Sequence, residues 1–224
     1  MILRRWLILL LVPGLFGCSG GNDGGGSSQS GVVAEAKLDE SERFQEVTRR
    51  GREAANALKG NLFNAQMKSS IESGGAASAL QICQTAAMPI TDGTAQQFDG
   101  VTLHRTSLKV RNPANKPDPS DLEVLTAFQV RHEAGMEAPQ EIIKETETEI
   151  RYYEPLFVKK ICLNCHGSHD SMAPEVVDKL RLLYPDDQAY GYEEGDFRGV
   201  IRVDFAVSKT ATPARKMQEG DLTL

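Results

Sequence analysis

Residues 162–166 read Cys-Leu-Asn-Cys-His, and this spacing constrains the fold more than any other feature of the chain. On a helical turn Cys162 and Cys165 share a face and His166 stands beside them. Two thiols so placed can add across the two vinyl groups of a haem while the imidazole ligates the iron from the same side. The chain must therefore fold so that one short turn presents all three groups together. With only four Cys and four His in the chain, three prescribed residues at fixed offsets arise by chance in roughly one chain in a thousand. Zinc on Cys162, Cys165, His166 and His169 would need four ligands within eight residues, two of them adjacent, to close into a tetrahedron. A thiol–disulfide oxidoreductase would leave His166 without a role and expects a βαβ context that the pattern lacks.

Haem attachment of this kind takes place outside the cytoplasm, and the N-terminus independently reads as an export signal. Arg4 and Arg5 precede an apolar run from Trp6 to Phe16, shorter than the about 20 residues that span a bilayer. Residues 1–17 are thus expected to be a signal peptide. Leu15-Phe16-Gly17-Cys18 resembles the bacterial lipoprotein cleavage box, which makes Cys18 the candidate lipidation site and membrane anchor. By analogy with enterobacterial sorting, Ser19 after it favours the outer membrane. Of the 13 residues from Ser19 to Gly31, 10 are Gly or Ser. Such a stretch cannot bury enough surface to order itself, so residues 18–33 read as a tether with a reach of roughly 20 Å.

The folded domain is expected over residues 34–207, followed by a polar tail at 208–224. The chain has 25 Lys and Arg against 31 Asp and Glu, a formal net charge of −6, and no basic stripe, so a nucleic-acid surface is excluded. Residues 34–73 read as one long amphipathic helix with Phe44, Val47, Ala54, Leu58, Leu62 and Ala65 on its apolar face. Gly74 and Gly75 break it, and a helix over 76–88 turns Cys83 inward before Pro89 ends it. A strand is expected over 101–111, a helix over 122–131, a hairpin over 141–158, a helix over 176–184 and a strand over 197–207. Strands mixed with helices at this size indicate an α+β fold, an antiparallel sheet covered by helices.

A sixth iron ligand follows partly from counting cysteines. Cys18 is assigned to lipid and Cys162 and Cys165 to thioethers, which leaves Cys83 as an unpaired thiol in an oxidising compartment. A thiolate on iron would account for it. His104, His132, Met88 or an open position are the alternatives, while His169 lies one turn from His166 on the same side.

Several segments together resemble the PAS-like single-haem c-type cytochromes, which occur alone and as periplasmic sensor domains of bacterial kinases and chemoreceptors. The matching segments are Cys83 with Ala86-Ala87-Met88-Pro89-Ile90, then Arg105-Thr106-Ser107-Leu108-Lys109-Val110-Arg111-Asn112-Pro113-Ala114-Asn115. Tyr153-Glu154-Pro155-Leu156 and Cys162-Leu163-Asn164-Cys165-His166-Gly167 follow in order, and the match covers about residues 40–207. The resemblance implies a PAS-like antiparallel sheet packed by a long N-terminal helix, with one haem held on one face between Cys83 and His166 as axial ligands. It also makes Arg105 and Arg111 candidates for haem propionate contacts, because guanidinium forks match carboxylates.

Two functions follow from these expectations. One is a lipid-anchored periplasmic cytochrome passing single electrons at low potential, since a thiolate ligand favours ferric iron. The other is a redox or gas sensor in which reduction weakens the Cys83 bond and shifts the sheet or long helix. The sequence shows no output domain, so a sensor would act through a partner protein. A haem enzyme would need a distal acid–base pair, which the sequence does not offer.

Overall fold

A computed structural model describes residues 39–206. The signal peptide at 1–17, Cys18, the tether and the tail at 208–224 all lie outside the described residues. Helix α1, Glu40–Leu58, starts at a capping box: Asp39 Oδ1 accepts the Glu42 N–H at 2.9 Å, and Glu42 Oε2 accepts the Asp39 N–H at 3.3 Å. Its buried stripe is Val47, Ala54, Ala55 and Leu58. Gly51 belongs to that stripe because a Cβ there would fall 2.4 Å from the Tyr152 ring. The helix backbone therefore seats directly on the aromatic face.

From Lys59 to Lys68 the helix continues in the wider π form, which takes more residues per turn and so rotates the apolar stripe. Leu62 stays buried, but Ala65, expected on the stripe, is exposed, and Met67 turns inward in its place. Helix α2, Ser69–Thr85, reverses at Gly75, whose φ of 76° and ψ of 173° are open to glycine alone. The chain folds back there and brings Cys83 Sγ to 3.4 Å from Met67 Sδ. Sixteen residues of straight helix would have set the two about 24 Å apart. The helix expected over 76–88 ends at Thr85, and Pro89 does not terminate it. Pro89 is third in helix α3, Ala87–Ala95, in a first turn whose N–H groups have no intrahelical partner, so its missing N–H costs nothing.

The sheet is four-stranded and antiparallel in the order β1-β4-β3-β2. Its strands are β1, Val101–Thr106, β2, Ile142–Glu145, β3, Glu149–Phe157, and β4, Phe197–Ala206. The fold is α+β, as the sequence indicates. The expected hairpin is β2 and β3, with the Thr146 hydroxyl donating to the Glu149 carbonyl in its turn. Strand β1 stops at Thr106 rather than reaching Arg111; beyond its last pair, Thr106 with Val200, Ser107 packs closely over Gly199.

Side-chain alternation divides the sheet into two faces. Leu103, Ile150, Tyr152, Ile201, Val203 and Phe205 pack under α1 and α3. Tyr153 and Val200 face helix α4, Pro119–Glu133, and meet its Val124, Leu125 and Phe128. Helix α6, Pro174–Leu183, contributes Val176, Val177 and Leu180 to a third cluster with Leu80 of α2.

Candidate functional site

The Cys-Leu-Asn-Cys-His motif lies in the connection from β3 to β4. It is built as a 3-10 turn, Lys160–Cys162, running into the one-turn helix α5, Leu163–His166. Cys162 is half-buried and its Sγ accepts the Lys159 N–H at 3.3 Å. Cys165 is buried against the α2–α6 cluster. A second segment pairs with the motif: Tyr192 N–H donates to the His166 carbonyl at 3.0 Å and Gly191 N–H to the Gly167 carbonyl at 2.8 Å.

His166 Nδ1 sits 2.7 Å from the Ala189 carbonyl. A carbonyl can only accept, so Nδ1 carries the proton and Nε2 keeps its lone pair. That is how proteins orient an imidazole for a metal. Burial holds the ring well below the ordinary imidazole pKa, and the charges of Arg198 and Arg111 act in the same direction. The imidazole is therefore neutral.

Arg111 grips the same carbonyl. Its Nη2 donates to Ala189 O at 2.9 Å and to Cys165 O at 2.6 Å, and its Nε donates to Asp187 Oδ2 at 3.1 Å. Asp187 in turn accepts the Ala189 N–H at 2.8 Å. The resemblance made Arg111 a candidate for a propionate contact; here its Nε and Nη2 hold the motif turn and the carbonyl that orients His166.

Cys83, half-buried on α2, belongs to the same neighbourhood. Burial raises its pKa, while the charges of Arg111 and Arg105 oppose the rise. The Cys165 thiol is pushed up to about 11 by burial first, with Arg111 lowering it and the charges of Cys83 and Cys162 adding to the rise. Arg105, on the α3 side of β1, donates from Nη2 to Met88 Sδ at 3.6 Å, and its buried Nε has no hydrogen-bond partner. Burial lowers its pKa, partly offset by the Cys83 charge. Arg198 of β4 is half-buried, and desolvation lowers its pKa; it donates to the Lys109 carbonyl at 3.2 Å and stands 5.4 Å from the Tyr192 ring centre. Lys109 Nζ lies 4.6 Å from the same ring centre, and that ring meets His166 edge-on at 6.2 Å.

Among the described residues no carboxylate lies within ion-pair reach of Arg105 or Arg198. Two half-buried guanidiniums without a paired carboxylate, one on Met88 and the other against the Tyr192 ring that meets His166, fit a ligand that carries two carboxylates of its own. A haem, with its two propionates, meets that requirement. Arg198, Ala189, Asp187 and Tyr192 were not read from the sequence. Their contributions are a carbonyl, a long-range pair and a strand position, none of which leaves a local motif.

The other candidate ligands lie elsewhere or are engaged. His104 projects from the opposite face of β1 to Arg105 and lies 3.3 Å from Asp204. His132 is 3.8 Å from Asp196 and tilts against Phe157. His169 stacks on Tyr190 with ring centres 4.2 Å apart. Met88 Sδ already accepts from Arg105.

A family model described as Tll0287-like matches residues 31–206. The chain belongs to the Tll0287-like family. The family match ends on Ala206, the last residue of β4, so its end coincides with that of the sheet. Among solved structures the Tll0287-like domain resembles the crystal structure of the cyanobacterial heme-protein Tll0287. The two are 22% identical with a TM-score of 0.50 over 76% of this chain and 98% of that one, a likeness of fold. No curated protein matches the chain.

Proposed function

We propose that this protein carries one covalently attached haem c, with thioethers at Cys162 and Cys165 and with His166 and Cys83 as the protein ligands to iron. It works as a one-electron carrier at low potential, exported and held to a membrane, the outer one, through lipidated Cys18. The observation that carries this reading is the His166 Nδ1 contact to Ala189 O at 2.7 Å, which leaves the Nε2 lone pair of the motif imidazole available to a metal. The haem would supply a single-electron ferric/ferrous couple, biased toward ferric by thiolate charge. Arg105 and Arg198 would neutralise its propionates, and Arg111 would hold the turn that carries the thiols and the imidazole. The fold shared with a protein named as a heme-protein supports the reading.

A pyridine haemochrome spectrum on protein matured with cytochrome c assembly factors, after acid–acetone extraction, tests attachment. A two-thioether α-band retained on the polypeptide is expected, and colourless protein would end the proposal. A reduction potential in the range of ordinary Met/His cytochromes would remove the low-potential assignment. Cys18→Ser is expected to release the protein from the membrane fraction. A sensor acting through a partner is the second reading, favoured by the way Cys83 packs back on Met67 of the π segment across the Gly75 reversal, a contact that depends on two departures from regular helix. Ferrous protein that keeps Cys83 on iron would count against it.

A further inference from the structure

We infer that a recess beside the last turn of α4 is a second binding site, one that takes a planar aromatic molecule carrying a single negative charge. The recess is a cavity of about 470 Å³ between the loop after β1, the C-terminal end of α4 and the start of β4. That volume is ordinary for a small-molecule site. Neither Cys83 nor any of Cys162, Cys165 and His166 lines it. Arg198 alone is shared with the haem reading, and the site does not depend on that reading.

Rings supply its apolar part. Tyr192 and Phe197 line the recess and are otherwise buried. Phe157 meets Phe197 edge-on with ring centres 6.0 Å apart, and His132 tilts against Phe157 at 6.1 Å. A flat guest can stack on such rings or meet their edges.

Lys109 sets the charge of the guest. Its Nζ lies 4.6 Å from the Tyr192 ring centre and donates to the Tyr190 carbonyl at 3.2 Å. Arg198 stands 5.4 Å from the same ring centre. A ring face attracts two cations without neutralising either. The carboxylates that line the recess are engaged: Glu133 accepts from Gln129 at 2.7 Å, and Asp196 accepts the Glu193 N–H at 2.8 Å and lies 3.8 Å from His132. Among the described residues neither Lys109 nor Arg198 has a carboxylate within ion-pair reach. An anion at Lys109 completes that end of the recess, while Glu133 and Asp196 turn away a second negative charge.

Equilibrium dialysis of the full chain against naphthoate tests the site, in haem-loaded and haem-free protein. Saturable one-to-one binding is expected in both forms. The neutral amide of naphthoate, and a naphthalene dicarboxylate, should each bind about tenfold more weakly. Lys109→Gln should weaken naphthoate about tenfold, and Lys116→Gln, before the other end of α4, should leave it unchanged. The ligand series needs no variant, so it decides the matter even if Lys109→Gln fails to fold. No saturable binding, an amide or diacid that binds as tightly as the monoacid, or undiminished binding by Lys109→Gln would overturn the proposal. Binding by haem-free protein that is lost on haem loading would give the recess to the haem and overturn it equally. Wild type without covalent haem would defeat the function proposed above, and naphthoate binding by that same protein would still uphold this site.

Discussion

Arg111 and Asp187 are each 8% exposed, so removing either leaves the other buried without its counter-charge, at a cost of about 3–5 kcal/mol. Arg111→Ala should lower the urea midpoint by a corresponding amount, and an unchanged midpoint would take Arg111 out of the role assigned to it. Arg105 should behave in the opposite sense, because its Nε is buried without a hydrogen-bond partner. In haem-free protein Arg105→Leu is expected to leave stability unchanged or raise it by about 1 kcal/mol, whereas in haem-loaded protein it should lower it. Equal losses in both states would mean that Arg105 serves the polypeptide rather than an anion. At this scale the sequence exposes what is locally spaced, namely Cys162, Cys165 and His166; counting left Cys83 beside His104, His132 and Met88, and the resemblance singled it out. The sequence conceals Ala189 and Asp187, because a carbonyl oxygen belongs to every residue type and their partner Arg111 lies far away along the chain.

The long helical arm shows how far periodicity carries. Its α1 stripe follows the 3.6-residue repeat and was legible through Leu62, but from Lys59 to Lys68 the π form changes the repeat and exchanges Ala65 for Met67. Pro89 was misread for a related reason: proline marks a boundary without saying on which side of it the helix lies. Two glycines make this arrangement testable. Gly51→Ala would drive a methyl into the Tyr152 ring, and overpacking of this kind costs about 1–3 kcal/mol. Gly75→Ala meets open space but forces a side chain into a glycine-only backbone conformation, worth about 1–3 kcal/mol. Thermal melts of both variants should show losses of similar size. Only Gly75→Ala should also alter the environment of Cys83, read as slower or faster thiol alkylation in haem-free protein.

Across the whole molecule, the sheet face opposite the Cys83 side is held by charge. Arg202 Nη1 reaches both Asp121 oxygens at 3.0 and 2.9 Å, Tyr153 donates to Asp121 at 3.0 Å, and Arg151 Nη1 pairs with Asp118 at 2.7 Å. Burial works to raise the pKa of Asp118 and of Asp204. For Asp118 the Asp121 N–H and the Arg151 and Arg202 charges outweigh it, and for Asp204 His104 and Arg202 do, so both carboxyls end below the ordinary 3.8. A depressed carboxylate contributes stability that is complete above its unfolded pKa and is lost as pH falls through the folded one. Urea midpoints should therefore decline once pH drops below about 4, and Asp204→Asn should flatten that decline. Parallel acid profiles for the two proteins would exclude Asp204 from the acid response.

The strand order carries a consequence for assembly. Of the described strands β4 is made last and must slot between β1 and β3, and the thiol-bearing turn lies on the connection leading into it. As a chain emerges from its N-terminus, Cys162, Cys165 and His166 are delivered before Ala189, Asp187 and β4 exist to enclose them. Long-range pairing of this sort closes slowly. The order of synthesis therefore opens an interval in which the motif is still extended and reachable, and insertion of β4 ends it.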